Sequence, residues 1–220
     1  MRRIQVIQWG RVAYAQAWAW QQTQVQDKIE NPDVPDVLAV LEHEPVYTLG
    51  QGASLAFVRF PVGGIDIPLY RTERGGEVTY HGPGQVVAYP ILRLKNYGLD
   101  VHQYVRCLEQ IVLNVLQEYG IAAERKVGYT GVWVGEVKVA AIGIKVRRGV
   151  TMHGVAVNVS TDLRAFSRIV PCGIRDYGVG NVTQFCPEIN LSDVRAGLIR
   201  QFGAVLGARM EQRDTISIRC

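Results

Sequence analysis

Apolar and polar positions alternate along this chain in a way that predicts short strands interrupted by three long helices. Residues 4–8, Ile4-Gln5-Val6-Ile7-Gln8, read as a short strand. Over 11–30, Tyr14, Trp18, Val25 and Ile29 recur near helical spacing, and Asn31-Pro32 ends the helix. Residues 36–41 are a near-continuous apolar run, the pattern of a strand buried on both faces. A polar, aromatic loop at 43–50 and an irregular crossing segment at 52–64 are expected next. Residues 65–70 and 86–92 read as strands on either side of a glycine-rich stretch. Asp100 is placed to N-cap a long helix, with Gln103 at the third position. Its buried face is Val101, Tyr104, Val105, Leu108, Ile111, Val112, Val115 and Leu116, and Gly120 suits its end.

The second half is richer in strands. Residues 121–126, 130–134, 137–146 and 150–159 read as strands. Val134-Gly135-Glu136-Val137 fits a two-residue hairpin with Gly first, and Arg147-Arg148-Gly149 fits a second turn. A short helix is expected over 162–167 and a loop over 169–174. Ser192 is placed to cap a last helix whose core face is Val194, Leu198, Ile199, Phe202, Val205 and Leu206. The tail from 208 to 220 is expected to be a frayed strand or disordered. Strands outnumber helices and often sit in hairpins. The expected fold is therefore α+β, with mixed and antiparallel sheet packed against helices, in a single domain over 1–220.

Composition narrows the function. The 220 residues are 48% hydrophobic, enough for a sizeable core. No apolar run reaches the roughly 18 residues of a membrane span, and the basic N-terminus lacks the apolar stretch of a secretory signal. The expected location is the cytoplasm. The formal charge of +4 is modest and scattered, with Arg147-Arg148 and Arg125-Lys126 the densest pairs. Such pairs are ordinarily solvated surface; their functional reading is a dock for an acidic protein. No zinc spacing, basic helix or RNP-type motif points to nucleic acid. The four cysteines include no C-x-x-C pair, so no structural metal site is expected.

Two stretches hold candidate chemistry. Residues 74–85, RGGEVTYHGPGQ, pack four glycines, a proline, an arginine and a histidine between apolar runs, the make-up of a binding loop. The loop lies between strands rather than opening a helix, unlike a phosphate-binding motif. Cys172, between Pro171 and Gly173, has the setting of a presented thiol, whereas Cys107 falls inside a helix as packing. A nucleophilic thiol needs a nearby cation, imidazole or helix N-terminus. His43, His81, His102, His153, Lys138 and Lys145 are the candidates. Lys138 sits in an apolar strand, either at an edge reaching water or as an ammonium paired inside a site.

RGGEVTYHGPGQ, KVAAIGIKV (138–146), HGVAVN (153–158) and IVPCGI (169–174) together resemble the lipoyl(octanoyl) transferases, and LEHEPVYTLG (41–50) resembles that family's first loop. The resemblance runs in order from about residue 36 to 174. It implies a biotin/lipoate protein ligase-like fold. It also implies transfer of an octanoyl group from acyl carrier protein to a lysine of lipoyl domains, in 2-oxoacid dehydrogenases and the glycine cleavage H protein. The family's acyl-thioester cysteine falls on Cys172, and its lysine falls on Lys138 rather than Lys145. Its substrate-binding segments fall on Arg74, Gly75, Gly76, Glu77, Val78, Thr79, Tyr80 and His81, on Ala141, Ile142 and Gly143, and on Gly154, Val155 and Ala156. Val139 stands where Ile is commoner, and Glu44 where a small or apolar residue is frequent. The resemblance implies no cofactor and no metal, because the thioester arrives activated. A ligase of the same fold would need ATP.

Overall fold

The computed structural model describes residues 2–61, 63–64, 66–170 and 177–213. The main sheet is built from β1 (Arg2–Val12), β2 (Asp36–His43), β6 (Gln85–Ile91), β7 (Glu124–Lys126), β8 (Tyr129–Val134), β9 (Val137–Arg147), β10 (Val150–Asn158), β11 (Gly178–Val179) and β12 (Ala208–Gln212). Its order is β12-β1-β2-β6-β10-β9-β8-β7. The β12-β1-β2 end is parallel and the rest of that path antiparallel. A small second sheet joins β4 (Leu69–Arg71), β3 (Val46–Leu49) and β5 (Val78–His81). The helices are α1 (Tyr14–Glu30), α2 (Val101–Glu118) and α3 (Leu191–Leu206).

Period-2 alternation sorts the sheet's side chains between two layers. Leu38, Val40, Val86, Ala88, Val155 and Val157 join the core that includes α2 and α3. Val37, Ala39, Leu41, Val87, Tyr89 and Ala156 face the other way, into a cluster with Ala17 of α1. With both faces covered, β2 and β6 read as apolar runs, and for β2 this two-sided burial is as expected. Helix α2 buries Tyr104, Leu108, Ile111, Val112, Val115 and Leu116 along one stripe. Asp100 and Gln103 form the expected capping box at its start. Gly197 of α3 lets the two helices approach closely, since a Cβ there would stand 3.0 Å from Val115 Cγ1.

Several elements differ from the sequence expectation. The first strand runs over Arg2–Val12, with a register shift between Gln8 and Arg11, and the helix starts at Tyr14. Residues 43–50 are not one loop: Val46–Leu49 is a fully buried strand held between β4 and β5. The glycine-rich stretch likewise contains a strand, Val78–His81. Around it, the strand expected at 65–70 narrows to Leu69–Arg71. The last helix is capped by Asn190, whose Oδ1 accepts from the N–H groups of Ser192 and Asp193. Ser192 is already inside that first turn, and Asp193 returns a bond to the Asn190 N–H. The short helix near 162 is a 3-10 turn, Leu163–Arg168, with Asp162 accepting from Arg164 N–H. Among the described residues, no helix is long and apolar enough to cross a membrane.

Candidate active site

On the α1 side of the sheet, β5, β6, β9 and β10 wall a cavity of about 480 Å³, counting its open mouth. It is lined by Tyr14, Val87, Tyr89 and His153, by Arg74, Gly76, Glu77, Thr79 and His81, and by 141–143 and 154–156.

Arg74 builds one wall. It is buried, and its guanidinium donates to the Thr48 hydroxyl (2.9 and 3.2 Å), the Thr48 carbonyl (2.7 Å), and the Gly75 and Glu77 carbonyls (2.9 Å each). This binds the segment before β5 to strand β3. The same segment docks on β9 through Gly75 N–H to the Ile144 carbonyl at 2.9 Å. Gly143 permits that approach, because a Cβ there would stand 3.1 Å from Arg74 Cδ and 3.2 Å from the Gly75 carbonyl oxygen.

Three buried histidines cluster at the cavity: His81 and His153 line it, and His43 lies beside His81. His43 Nδ1 donates to the Val12 carbonyl (2.9 Å), so its Nε2 accepts from the Tyr89 hydroxyl at 2.7 Å. Burial pulls His43 down to about 4. His81 Nδ1 lies 2.7 Å from Gln85 Oε1. Gln85 Nε2 donates to the Tyr80 carbonyl and to Asn158 Oδ1, which fixes Oε1 toward His81 and makes His81 Nδ1 the donor. Burial, with His43 and Arg74 nearby, pushes His81 down to about 3. The Tyr14 ring stacks on His81, with centroids 6.1 Å apart at 9°. His153 has a φ of +59°, rare for a residue with a side chain, and its N–H is held by Gln21 Oε1 at 2.8 Å. Its Nε2 faces Glu73 at 3.8 Å. Burial lowers its pKa, and the Glu73 carboxylate opposes that shift. Against the desolvation of its half-buried site, contacts with His153, its own backbone and Trp18 hold the Glu73 carboxyl at about 2. The Tyr14 and Tyr89 hydroxyls are raised by burial and stay protonated. The cavity thus offers neutral imidazoles, neutral phenols, the Arg74 and Glu77 segment and an apolar strip that includes Val87, Ala141 and Ala156. Such a lining suits an uncharged apolar chain with a polar head.

The lipoyl protein ligase A/B catalytic domain model matches residues 13–203. An octanoyltransferase from Gloeobacter violaceus is 52% identical over 211 residues, covering 96% of this chain and 94% of the relative. One from Thermosynechococcus vestitus is 52% identical over 198 residues, covering 90% and 88%. The chain belongs to the octanoyltransferase family. Solved structures share its fold. Lipoate-protein ligase A bound with ATP has a TM-score of 0.75 at 20% identity, covering 98% of this chain and 89% of that one. A bi-partite lipoate protein ligase from Thermoplasma acidophilum has 0.74 at 21%, covering 98% and 87%. Biotin protein ligase from Aquifex aeolicus reaches 0.50 at 12%, covering 94% and 69%. The fold is that of the biotin and lipoate protein ligases.

For this octanoyltransferase-family chain, the segments named from sequence mostly converge. Arg74, Gly76, Glu77, Thr79, His81, Ala141, Ile142, Gly143, Gly154, Val155 and Ala156 all line the one cavity. Val78 and Tyr80 do not: strand alternation turns them away, into a cluster with Tyr47, Phe166 and Ile169. Gly75 acts through its backbone bond to β9. Lys138 is not at an edge. It is buried in β9, with Nζ 4.9 Å from the centre of the Trp133 ring, and is not among the residues lining the cavity. Just beyond the end of the β10 pairing, β11 takes over beside it, with Val179 opposite Lys138. Cys172 and its neighbours Pro171 and Gly173 lie outside the described residues. Among the candidate partners for that thiol, His102 is exposed near the start of α2. Lys145 reaches Gln51 at 3.3 Å. Tyr14, Val87 and Tyr89 were not anticipated. The alternation in β6 that buries Val86 and Ala88 on one side carries the signal for Val87 and Tyr89. Nothing local marks Tyr14, which reaches the cavity from another layer. Among the described residues, no cluster of His, Cys, Asp and Glu is arranged to hold a metal ion.

Proposed function

We propose that this chain, acting as one catalytic domain in the cytoplasm, moves an octanoyl group from acyl carrier protein to a specific lysine of lipoyl domains. The observation that carries the reading is the cavity. Three segments far apart in the chain, each matching a substrate-binding segment of the octanoyltransferases, meet around one slot that combines apolar side chains with buried polar groups. In the reaction, the Cys172 thiolate attacks the carbonyl of the carrier-bound thioester. Lys138, as ammonium, favours that thiolate electrostatically. The C–S bond to Cys172 forms, the bond to the carrier breaks, and the departing thiolate takes the Lys138 proton. The octanoyl chain rests in the slot. The acceptor lysine then attacks the Cys172 thioester and passes its proton to neutral Lys138. An amide is left on the acceptor, and the thiolate–ammonium pair is restored. The pairing of Val179 with Lys138 supports this, because β11 follows closely on the Cys172 segment in the chain. His81 serves to position substrate, since burial keeps it neutral and its Nδ1 is committed to Gln85.

The test is octanoyl transfer from the loaded carrier to a purified lipoyl domain without ATP, comparing wild type with Cys172→Ser and Lys138→Ala. Mass spectrometry should find an octanoyl adduct on Cys172 and product only in wild type. An adduct that survives Cys172→Ala sinks the assignment. An absolute need for ATP identifies a ligase, free octanoate without acceptor identifies a thioesterase, and binding without transfer identifies a carrier-binding module.

A further inference from the structure

The Lys138 side chain crosses strand β8 over two residues. Gly131 is the first: a Cβ there would stand 2.5 Å from Lys138 Cε and 2.6 Å from the Ala140 carbonyl oxygen, and its φ of +131° is one that side-chain-bearing residues rarely adopt. Any larger residue would push the lysine away. Trp133 is the second. The Lys138 Nζ lies 4.9 Å from its ring centroid, within the roughly 6 Å of a cation–π contact. Trp133 is fully buried, and its indole N–H has no hydrogen-bond partner among the described residues. An orphaned buried donor is a cost that phenylalanine or leucine would not carry. What indole offers over either is the strongest cation-binding face among the aromatic side chains.

The ring has support behind it. Tyr129 contacts Trp133 (6.3 Å between centroids) and meets Tyr177 edge-on at 5.5 Å. Lys126 lies over the Tyr177 ring at 4.2 Å. Tyr177 leads into β11, so one aromatic chain links the Lys138 contact to the segment that pairs beside it. Two other charged groups near β8, Glu109 and Lys126, are committed. Glu109 of α2 accepts from Gly131 N–H at 3.1 Å and pairs with Arg106 and Arg125. Lys126 also pairs with Glu136.

We infer that Trp133 is a positioning residue for acyl transfer, its ring face and the clearance at Gly131 together holding the Lys138 ammonium in its working place. The inference rests on the Cys172–Lys138 reading above. If the ring no longer holds the ammonium, the thiolate loses stabilisation and the proton relay loses alignment, while the acyl cavity stays intact.

The experiment uses the full chain as wild type, Trp133→Phe, Trp133→Leu and Lys138→Ala. Iodoacetamide alkylation of the Cys172 peptide is followed by mass spectrometry against pH, beside kcat, KM and Tm. The wild-type alkylation midpoint should lie below the ordinary thiol value of about 8.5, and Lys138→Ala should raise it toward that value. Trp133→Leu should recover most of that rise and cut kcat about tenfold, the order of a desolvated cation–π contact, with KM for the octanoyl carrier within about twofold. Trp133→Phe, which keeps a weaker ring face, should fall between. A raised midpoint in Lys138→Ala beside a wild-type midpoint and kcat in Trp133→Leu overturns this inference alone. So does an equal loss in both Trp133 variants that only tracks Tm. An unmoved midpoint in Lys138→Ala overturns the Cys–Lys reading and this inference with it.

Discussion

Replacing Arg74 by Met separates two jobs for its guanidinium: building the cavity wall, or reading what enters the cavity. Its donors run to the Thr48 hydroxyl and carbonyl and to the Gly75 and Glu77 carbonyls, all within 3.2 Å. A hydrogen bond from a charged donor contributes roughly 1.5–3 kcal/mol, and a stranded buried acceptor costs about 1–3 kcal/mol. These do not add, because the variant also relieves a buried cation of its desolvation. A net loss of about 3–5 kcal/mol is expected, the range found when one partner is removed from a buried charged network. In a chain of this size each kcal/mol moves Tm by roughly 2–4 °C, so Tm should fall by about 6–20 °C. Arg74→Lys should recover only part of this, since one ammonium cannot span acceptors on both Thr48 and Gly75. Calorimetry gives Tm, and octanoyl transfer gives kcat and KM. A Tm within 2 °C of wild type, roughly the effect of 1 kcal/mol or less, combined with a raised KM, would refute the wall-building role. The guanidinium would then be acting on substrate.

Acid should find the two deeply buried histidines first. His43 and His81 sit near 4 and 3 in the folded chain, against about 6.5 unfolded, so the unfolded state binds more protons between those values. Stability is then full above about pH 6.5 and falls as pH drops toward 3–4, by about 2 kcal/mol per histidine at pH 5. Tm measured from pH 7 to 4 should fall less steeply in His81→Gln, and an unchanged slope would count against a neutral, buried His81. Gly154→Ala would place a Cβ 2.1 Å from the Ala88 carbonyl oxygen and 2.7 Å from Pro90 Cδ, forcing β6 and β10 apart. It should cost about 3 kcal/mol or more and show as lost soluble yield or Tm. Gly143→Ala would set a Cβ 3.1 Å from Arg74 Cδ and 3.2 Å from the Gly75 carbonyl oxygen, and should cost about 1 kcal/mol in stability. Its larger effect should be on transfer rate, because Arg74 moves with the wall. Tyr89→Phe strands His43 Nε2 and should lower stability by about 1–2 kcal/mol, read by denaturant titration.

What could be read from sequence follows the physics of each signal. The α2 stripe and its Asp100–Gln103 box are local patterns, and both appear where the spacing places them, except that Val101 in the first turn is exposed and Val105 only partly buried. The two-sided burial of β2 is also local, written in an unbroken apolar run. Val46–Leu49 was missed because its burial comes from β4 and β5, and a four-residue segment carries too little periodicity to betray a partner strand. The cap of α3 was misplaced because Asn190 and Ser192 are both good caps. Only the reciprocal bond from Asp193 selects Asn190.

The candidate site divides the same way. Gly143 and Gly154 mark close approaches, and at Gly143 the approaching groups are the Arg74 side chain and the Gly75 carbonyl of the same segment. That segment was legible as a binding wall, but not the reason it stands. Arg74 points into the loop and binds it to Thr48, so the charge that looked like a ligand contact is spent on the protein's own carbonyls. Lys138 shows the converse. From sequence it was either a solvated edge or an ammonium held inside, and the two differ only in what lies on the neighbouring strand. Gly131 and Trp133 decide between them, by leaving room for the side chain and placing an aromatic face at its end. Neither residue announces that role alone, because a glycine in a strand and a buried tryptophan are ordinary features until the register of β8 against β9 brings them under the same lysine.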